Sequence, residues 1–430
     1  MAASPGYGTD MDPNAGTWRH CLEYTALSDV GMRRANNQDS LAVALASGRE
    51  GWMRRGHLFL VADGMGAHAA GELASKLAAD NIALSYLKHS NLPASQALQQ
   101  AVQEANDLIH RRASANDDFR GMGTTCTTLA LVPQGAIVAH IGDSRAYRVR
   151  GPVIEQLTFD HSLVWEMKAA GQIPSEQVSM YVPKNIITRS LGPNPTVQVD
   201  LEGPFTLQIG DTFLLCSDGL SGQLQDNEIG ALLYCLPVDK AVRALIDLAN
   251  LRGGPDNITV VTARVTGPQV PNSSGERPAV HASAGRAPVS PVVWALLGMF
   301  LLATLVLLMI GHHQAALAGL AGGVLTGIIG WLLRPSLRSE PFAAEAVALG
   351  RGPYVRASAL PDAAFADNLA ETTRELREAA GDWGVDMGPF NAWETRAVAA
   401  RQKNDLVEVV RSYCEAICYM MDKLRHQKGG

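Results

Sequence analysis

The 430 residues include 36 Lys and Arg against 42 Asp and Glu, a formal net charge of −6, and 47% of them are apolar. Such a length allows two or three units and one sizeable core, which excludes a single small domain. An acidic balance with no local basic patch argues against nucleic acid as a partner.

Residues 1–17 are rich in Gly, Pro, Ala and Asp and lack both a basic start and an apolar core, so they read as a disordered lead-in rather than a signal peptide. A first ordered regime covers 18–267. Inside it, short apolar runs end repeatedly in an aspartate: His57–Ala62 leads into Asp63, Ala136–Gly142 into Asp143, and Thr212–Ser217 into Asp218. Two longer helical patterns, Ala70–Lys88 and Ala94–Arg112, lie between the strand groups, which gives an α+β class. The six cysteines are scattered with neither disulfide nor zinc spacing, as expected in a reducing compartment. Residues 268–290, dense in Pro, Ser and Gly, read as a flexible linker.

No Asp, Glu, Lys or Arg lies between Arg286 and Arg334, and the apolar runs Val292–Ile310 and Ala315–Leu333 flank a Gly-His-His-Gln turn. Each run approaches the roughly 20 residues a helix needs to cross a bilayer, so the pattern predicts a transmembrane hairpin over 291–334. Arg286, Arg334 and Arg338 lie outside the two runs, whereas the turn has no Lys or Arg. This asymmetry places both ends on the cytoplasmic side of the inner membrane. Gly319, Gly323 and Gly327 form a small-residue stripe that suits packing of the hairpin on itself, with homodimerisation as the second reading. Residues 335–430 read as a helical C-terminal region of unassigned role. Within it Leu406, Val409, Val410, Tyr413, Ile417 and Met420 fall at helical spacings. Cys414 and Cys418, one turn apart with no completing ligand, are read as thiols rather than a metal site.

A lone Asp-Gly after a strand is usually a turn. Taken together, Asn-Gln-Asp at 37–39, Ala-Asp-Gly-Met-Gly at 62–66, Gly-Asp-Ser-Arg at 142–145, Ser-Asp-Gly-Leu at 217–220 and Pro-Asp-Asn-Ile-Thr at 255–259 supply many oxygen ligands. Such a collection suits Mg²⁺ or Mn²⁺. In this order, with Gly-Met-Gly-Thr-Thr at 121–125, Thr-Phe-Asp-His-Ser at 158–162 and Ile-Thr-Arg-Ser-Leu-Gly at 187–192, the motifs resemble the type 2C metal-dependent protein phosphatase family, in particular its bacterial branch.

That resemblance implies a β-sandwich of two antiparallel sheets flanked by helices, with two Mn²⁺ or Mg²⁺ ions between the sheets. It also implies that Asp63 bridges both metals, that the Gly64 carbonyl binds one, and that Asp39, Asp218 and Asp256 complete the set, partly through waters. Arg34 matches the phosphate-holding arginine. Asp143 is open between a weaker third metal and a turn cap. Gln38 stands where many members have Glu and is read as a contact to metal or to bound water. Met65 occupies the position of a histidine general acid, and His68 is weighed for that role against an N-terminal cap. Gly222, where bacterial relatives often have an aspartate, puts the third metal in doubt. Ser162–Lys184 corresponds to the flap over the active site; Trp165, Met167 and Met180 there fit packing as well as substrate contact.

The implied activity is hydrolysis of phosphoserine and phosphothreonine on cytosolic proteins, opposing a serine/threonine kinase at the membrane. The competing reading is a catalytically weak module for phosphoprotein binding or signal relay. A kinase or other nucleotide enzyme is set aside for want of a phosphate-cradling loop.

Overall fold

The computed structural model describes residues 21–67, 69–171, 186–268, 270, 291–332, 349–380 and 385–428. His68, the lead-in, most of the linker, Met180 and the flap beyond 171, and residues 335–348 lie outside the described residues. The chain divides into two compact units, one formed by 1–278 with 346–430 and the other by 279–345.

In the first unit two antiparallel sheets stack face to face. One has the order β1 (Leu22–Asp29), β11 (Ile258–Val265), β10 (Thr212–Cys216), β7 (Arg145–Arg150), β8 (Val153–Gln156), β12 (Val355–Ser358). The other runs β2 (Asp39–Ala44), β3 (His57–Met65), β5 (Cys126–Val132), β6 (Gly135–Ile141), β9 (Asp200–Phe205), with the short β4 (Gly123–Thr124) paired to β3. This is the sandwich the sequence resemblance implied.

Strand β3 illustrates why the strands read as continuous apolar runs. Successive side chains point to opposite faces. Phe59 and Val61 enter the core between the sheets, beside Leu129, Phe213, Leu215 and Val261. Leu58, Leu60 and Ala62 pack on the other face, beneath α2 (Ala70–Lys88) and α3 (Ala94–Ala115), which follow the short α1 (Arg49–Arg54). Ala74, Ala78, Ala101 and Ala105 line those helices, so they approach the sheet closely. Because both faces are covered, little polar alternation survives.

The outer face of the other sheet carries α6 (Asp226–Cys235) and α7 (Val238–Leu251), which follow α4 (Leu163–Ala169) and the single turn α5 (Asp218–Ser221). Leu214 and Cys216 of β10 meet Leu232, Leu245 and Leu248 there. A capping box between Gln225 and Glu228 starts α6.

The C-terminal helices α10 (Ala363–Ala379), α11 (Gly388–Gln402) and α12 (Leu406–Lys428) join this same core. The stripe predicted on α12 is its buried face: Val409, Val410, Ile417 and Met420 are 0–1% exposed. Polar ties reinforce it. Arg425 pairs with buried Asp247, Arg411 donates to the Cys235 carbonyl, and Lys240 lies 3.1 Å from Glu415. Burial pushes the Cys414 thiol far up, as an inert core thiol requires.

The second unit is a helical hairpin, α8 (Pro291–Met309) and α9 (His313–Leu332). A methyl added at Gly319 would sit 2.8 Å from Thr304 Oγ1, and one at Gly322 2.9 Å from Phe300. The small residues therefore serve packing of the hairpin on itself. Outward-facing Leu301 and Leu317 are 72% and 70% exposed. The two crossings expected from the sequence are not supported: among the described residues no helix is long and apolar enough to cross a membrane.

Candidate active site

Antiparallel pairing brings the strand-end aspartates to one rim of the sandwich. Asp39 opens β2 directly across from Asp63 near the end of β3. Asp143 follows β6 in the same sheet, while Asp218 follows β10 and Asp256 precedes the neighbouring β11 in the other. Five carboxylates separated by up to 217 residues thus face one another across the gap between sheets.

Hydroxyls fix them. Ser217 Oγ and Thr259 Oγ1, both from the opposite sheet, donate to Asp39 Oδ2 at 2.8 and 2.7 Å. The Asp63 N–H donates to Thr125 Oγ1 at 2.9 Å, and its carbonyl accepts from the Thr125 N–H and Thr124 Oγ1, each at 2.8 Å. Asn257 locks the loop between the sheets: its Oδ1 accepts from the Gln38 N–H at 2.8 Å and its amide donates to the Val30 and Asn36 carbonyls. Ser217, Thr125, Asn257 and Thr259 lie inside motifs quoted above, where sequence reasoning assigned none of them a role.

The electrostatics are unfavourable as they stand. Burial, opposed by the Thr259 and Ser217 hydrogen bonds and aided by Asp218 and Asp256, pushes Asp39 up to about 6. Burial and the charge of Asp218 raise Asp143 to about 7. Asp63, buried and facing Asp39, Asp218, Asp143 and Asp256, lies well above the carboxylate range, and Asp218 is raised by burial and Asp256. One oxygen each of Asp39, Asp143 and Asp218 is buried without a hydrogen-bond partner. Buried, unpaired, mutually repelling oxygens are what a hard divalent cation satisfies. Among the described residues no three His, Cys, Asp or Glu side chains converge on one point. With no such triad, the donor set fits cations reached partly through water and main-chain oxygen.

Arg34, half exposed, places Nη2 2.7 Å from Asp256 Oδ2 at the mouth of this ring. Gln38 contributes chiefly backbone: its carbonyl accepts from Ser75 Oγ at 2.6 Å and from the Gly64 N–H at 3.2 Å, and its side-chain amide lies against Gly71. Gly222 ends α5, its N–H donating to the Asp218 carbonyl at 2.7 Å.

Gly64 admits no side chain. A methyl there would sit 2.1 Å from the Gly71 carbonyl oxygen and 2.5 Å from that of Gln38, both backbone. Gly64→Ala is expected to push Asp63 or α2 aside, with a lower melting temperature and loss of turnover; unchanged values for both would contradict the packing.

Around the ring a second set of contacts holds the turns. Arg145 clamps Asp160 through Nε and Nη2, at 2.9 and 2.7 Å from Oδ2, and lies under the Trp165 ring. His161 Nδ1 accepts from the Gly142 N–H at 3.0 Å, so its proton is on Nε2, 2.9 Å from Asp200 Oδ2. Against burial, the His161 and Arg189 contacts hold Asp200 down at about 2.

A family model described as protein phosphatase 2C matches residues 32–253. The putative protein phosphatase 2C-type of Streptococcus pyogenes serotype M6 is 39% identical over 243 residues, 56% of this chain and 96% of that protein. The serine/threonine protein phosphatase PstP of Mycobacterium tuberculosis is 36% identical over 250 residues, 57% of this chain and 45% of that one. Among solved structures, the M. tuberculosis phosphatase PstP/Ppp superposes with a TM-score of 0.50 at 35% identity, covering 57% of this chain and 99% of its own. Stp1 of Staphylococcus aureus does so with a TM-score of 0.50 at 32% identity, covering 57% and 96%. With its fold and motifs in agreement with these relatives, the chain belongs to the protein phosphatase 2C family, which depends on manganese or magnesium, and is a serine/threonine protein phosphatase.

Proposed function

We propose that this phosphatase hydrolyses phosphoserine and phosphothreonine on cytosolic proteins with two divalent cations held by Asp39, Asp63, the Gly64 carbonyl, Asp218 and Asp256, opposing a serine/threonine kinase at a membrane. The observation that carries the reading is the five-carboxylate ring with its three unpartnered buried oxygens. Cations bound there would supply Lewis-acid charge to the phosphoryl oxygens and a water acidified toward neutral pH. Asp63, repelled by carboxylates of both sheets, would hold cation charge from its position among them. Ser217 and Thr259 hold one oxygen of Asp39 and leave the other for a cation. Arg34 presents a fork that suits a phosphate and is aimed by Asp256. Asp143 is the candidate for a weaker third ion, with its Oδ1 buried and unpartnered and its charge felt by Asp63.

The membrane part of the proposal is supported by the uncharged stretch between Arg286 and Arg334 and by the exposed leucines of the hairpin. With both flanks cytoplasmic, the catalytic unit would meet co-tethered substrates at raised effective concentration.

The test is hydrolysis of a phosphothreonine peptide by the full chain with Mn²⁺, with Mg²⁺ and with chelator. Turnover is expected with either metal and none with chelator. Full turnover in chelator would sink the metal assignment.

A further inference from the structure

The segment entering β12 touches both sheets at the edge remote from β1. Along β12, Val355–Ser358 pairs with Gln156–Val153 of β8, and the Tyr354 N–H donates to the Gln156 carbonyl at 2.8 Å. On the other sheet, Glu202 of β9 accepts from Tyr354 OH at 2.5 Å and from the Gly352 N–H at 2.8 Å. Leu349 bridges Gly203 of the same strand. The fit is tight: Gly350 has φ +66°, and a methyl there would sit 2.0 Å from Glu202 Oε2.

From this strap an aromatic chain leads inward. The Tyr354 and Phe159 rings meet edge to face with centroids 5.5 Å apart, and Phe159 meets Trp165 the same way at 5.4 Å. Trp165 stands in the first turn of α4 and covers the Arg145 guanidinium, 5.7 Å from its ring centre. Arg145 clamps Asp160 and is near enough to Asp143 and Asp218 to oppose part of the rise that burial gives both. Phe159 and Asp160 are neighbours, so one turn supplies both the ring that meets Trp165 and the carboxylate that holds Arg145 against it.

We propose that Tyr354 is a positioning residue for substrate, acting through Phe159 to hold Trp165 and helix α4 beside the carboxylate ring. It lies in a part of the chain beyond the span matched by the family model, and the proposal rests on the phosphatase activity but not on the metal assignment. Only a substrate long enough to touch α4 feels the positioning. A phosphopeptide does, and a small aryl phosphate does not.

Steady-state kinetics of the full chain on a phosphothreonine peptide and on p-nitrophenyl phosphate test this. Loss of one edge-to-face contact predicts that Tyr354→Ala raises the peptide KM by about three- to tenfold. Its kcat/KM on p-nitrophenyl phosphate should fall by clearly less. Tyr354→Phe keeps the ring and should restore the peptide KM. Phe159→Ala should reproduce the effect from the other side of the contact, and the double variant should be no worse than either single one. An unchanged peptide KM in Tyr354→Ala, an equal fall on both substrates, or additive losses in the double variant would overturn the proposal. If Tyr354→Ala fails to fold, Phe159→Ala decides alone: an unchanged peptide KM there overturns it.

Discussion

Asp63→Asn is expected to abolish peptide hydrolysis, by more than about a hundredfold given that even outer-shell partners of metal ligands cost 10–100-fold, while the metal-free protein melts higher than wild type. Both effects have one cause. Asp63, buried and facing Asp39, Asp218, Asp143 and Asp256, is itself costly to ionise in the folded chain, and an amide in its place carries no such cost. The scale of such a cost is set by its neighbour Asp39, displaced from 3.8 to about 6, which at about 1.4 kcal/mol per unit corresponds to ~3 kcal/mol at most. Relief of part of that is worth a few degrees in melting temperature for a domain of this size.

The sign with pH follows from the same shifts. A carboxylate whose folded pKa is raised costs nothing below its unfolded value near 4, costs progressively more up to its folded value near 6 or 7, and the full amount above. Metal-free wild type should therefore lose stability between pH 4 and 7, and Asp63→Asn should lose less. Thermal melts in chelator across that range, repeated with Mn²⁺ at pH 7.5, check it. Mn²⁺ should raise the wild-type melting temperature and leave the variant nearly unmoved. Retained turnover, or a lower metal-free melting temperature at pH 7.5, would refute the role given to Asp63.

The aspartates of this ring were legible because each is announced locally, by a short apolar run that ends in Asp or begins just after it. What the sequence withheld is what depends on stacking one sheet on another. Ser217 and Thr259 lie 178 and 220 residues from the Asp39 they hold, and nothing local to either marks them for it. Strand β12 escaped for a related reason. Its four residues, half of them exposed, have no alternation long enough to register, and their conformation is decided by the free edge of β8. On α12 the apolar stripe was plain, but a stripe says that a face is buried and not against what. The stripe proved to share one core with α6 and α7 of the catalytic unit as well as with α10 and α11.

That partnership gives the last expected result. A chain ending at 267 should melt well below the full protein and self-associate. Its loss uncovers apolar surface of α6 and α7 that shares one core with the C-terminal helices, including Leu248 and Leu251 where they face Leu376 and Ala379 of α10. At roughly 1.5–3 kcal/mol per large side chain returned to water, exposing a few of them rivals a domain stability of about 5–15 kcal/mol. A contiguous apolar face of that kind also invites association. The same cut frees the edge of β8, takes Arg425 from Asp247 and removes the Tyr354 hydroxyl from Glu202. Deleting only 279–345 and joining 278 to 346 through a flexible linker keeps every one of these contacts. That variant should match the full chain in melting temperature and behave as a single species, whereas the chain ending at 267 should elute as oligomers. Size-exclusion chromatography with light scattering and a thermal melt separate the two. A monomeric 1–267 fragment that melts within a degree of the full chain would mean that the C-terminal helices cover the catalytic unit without stabilising it.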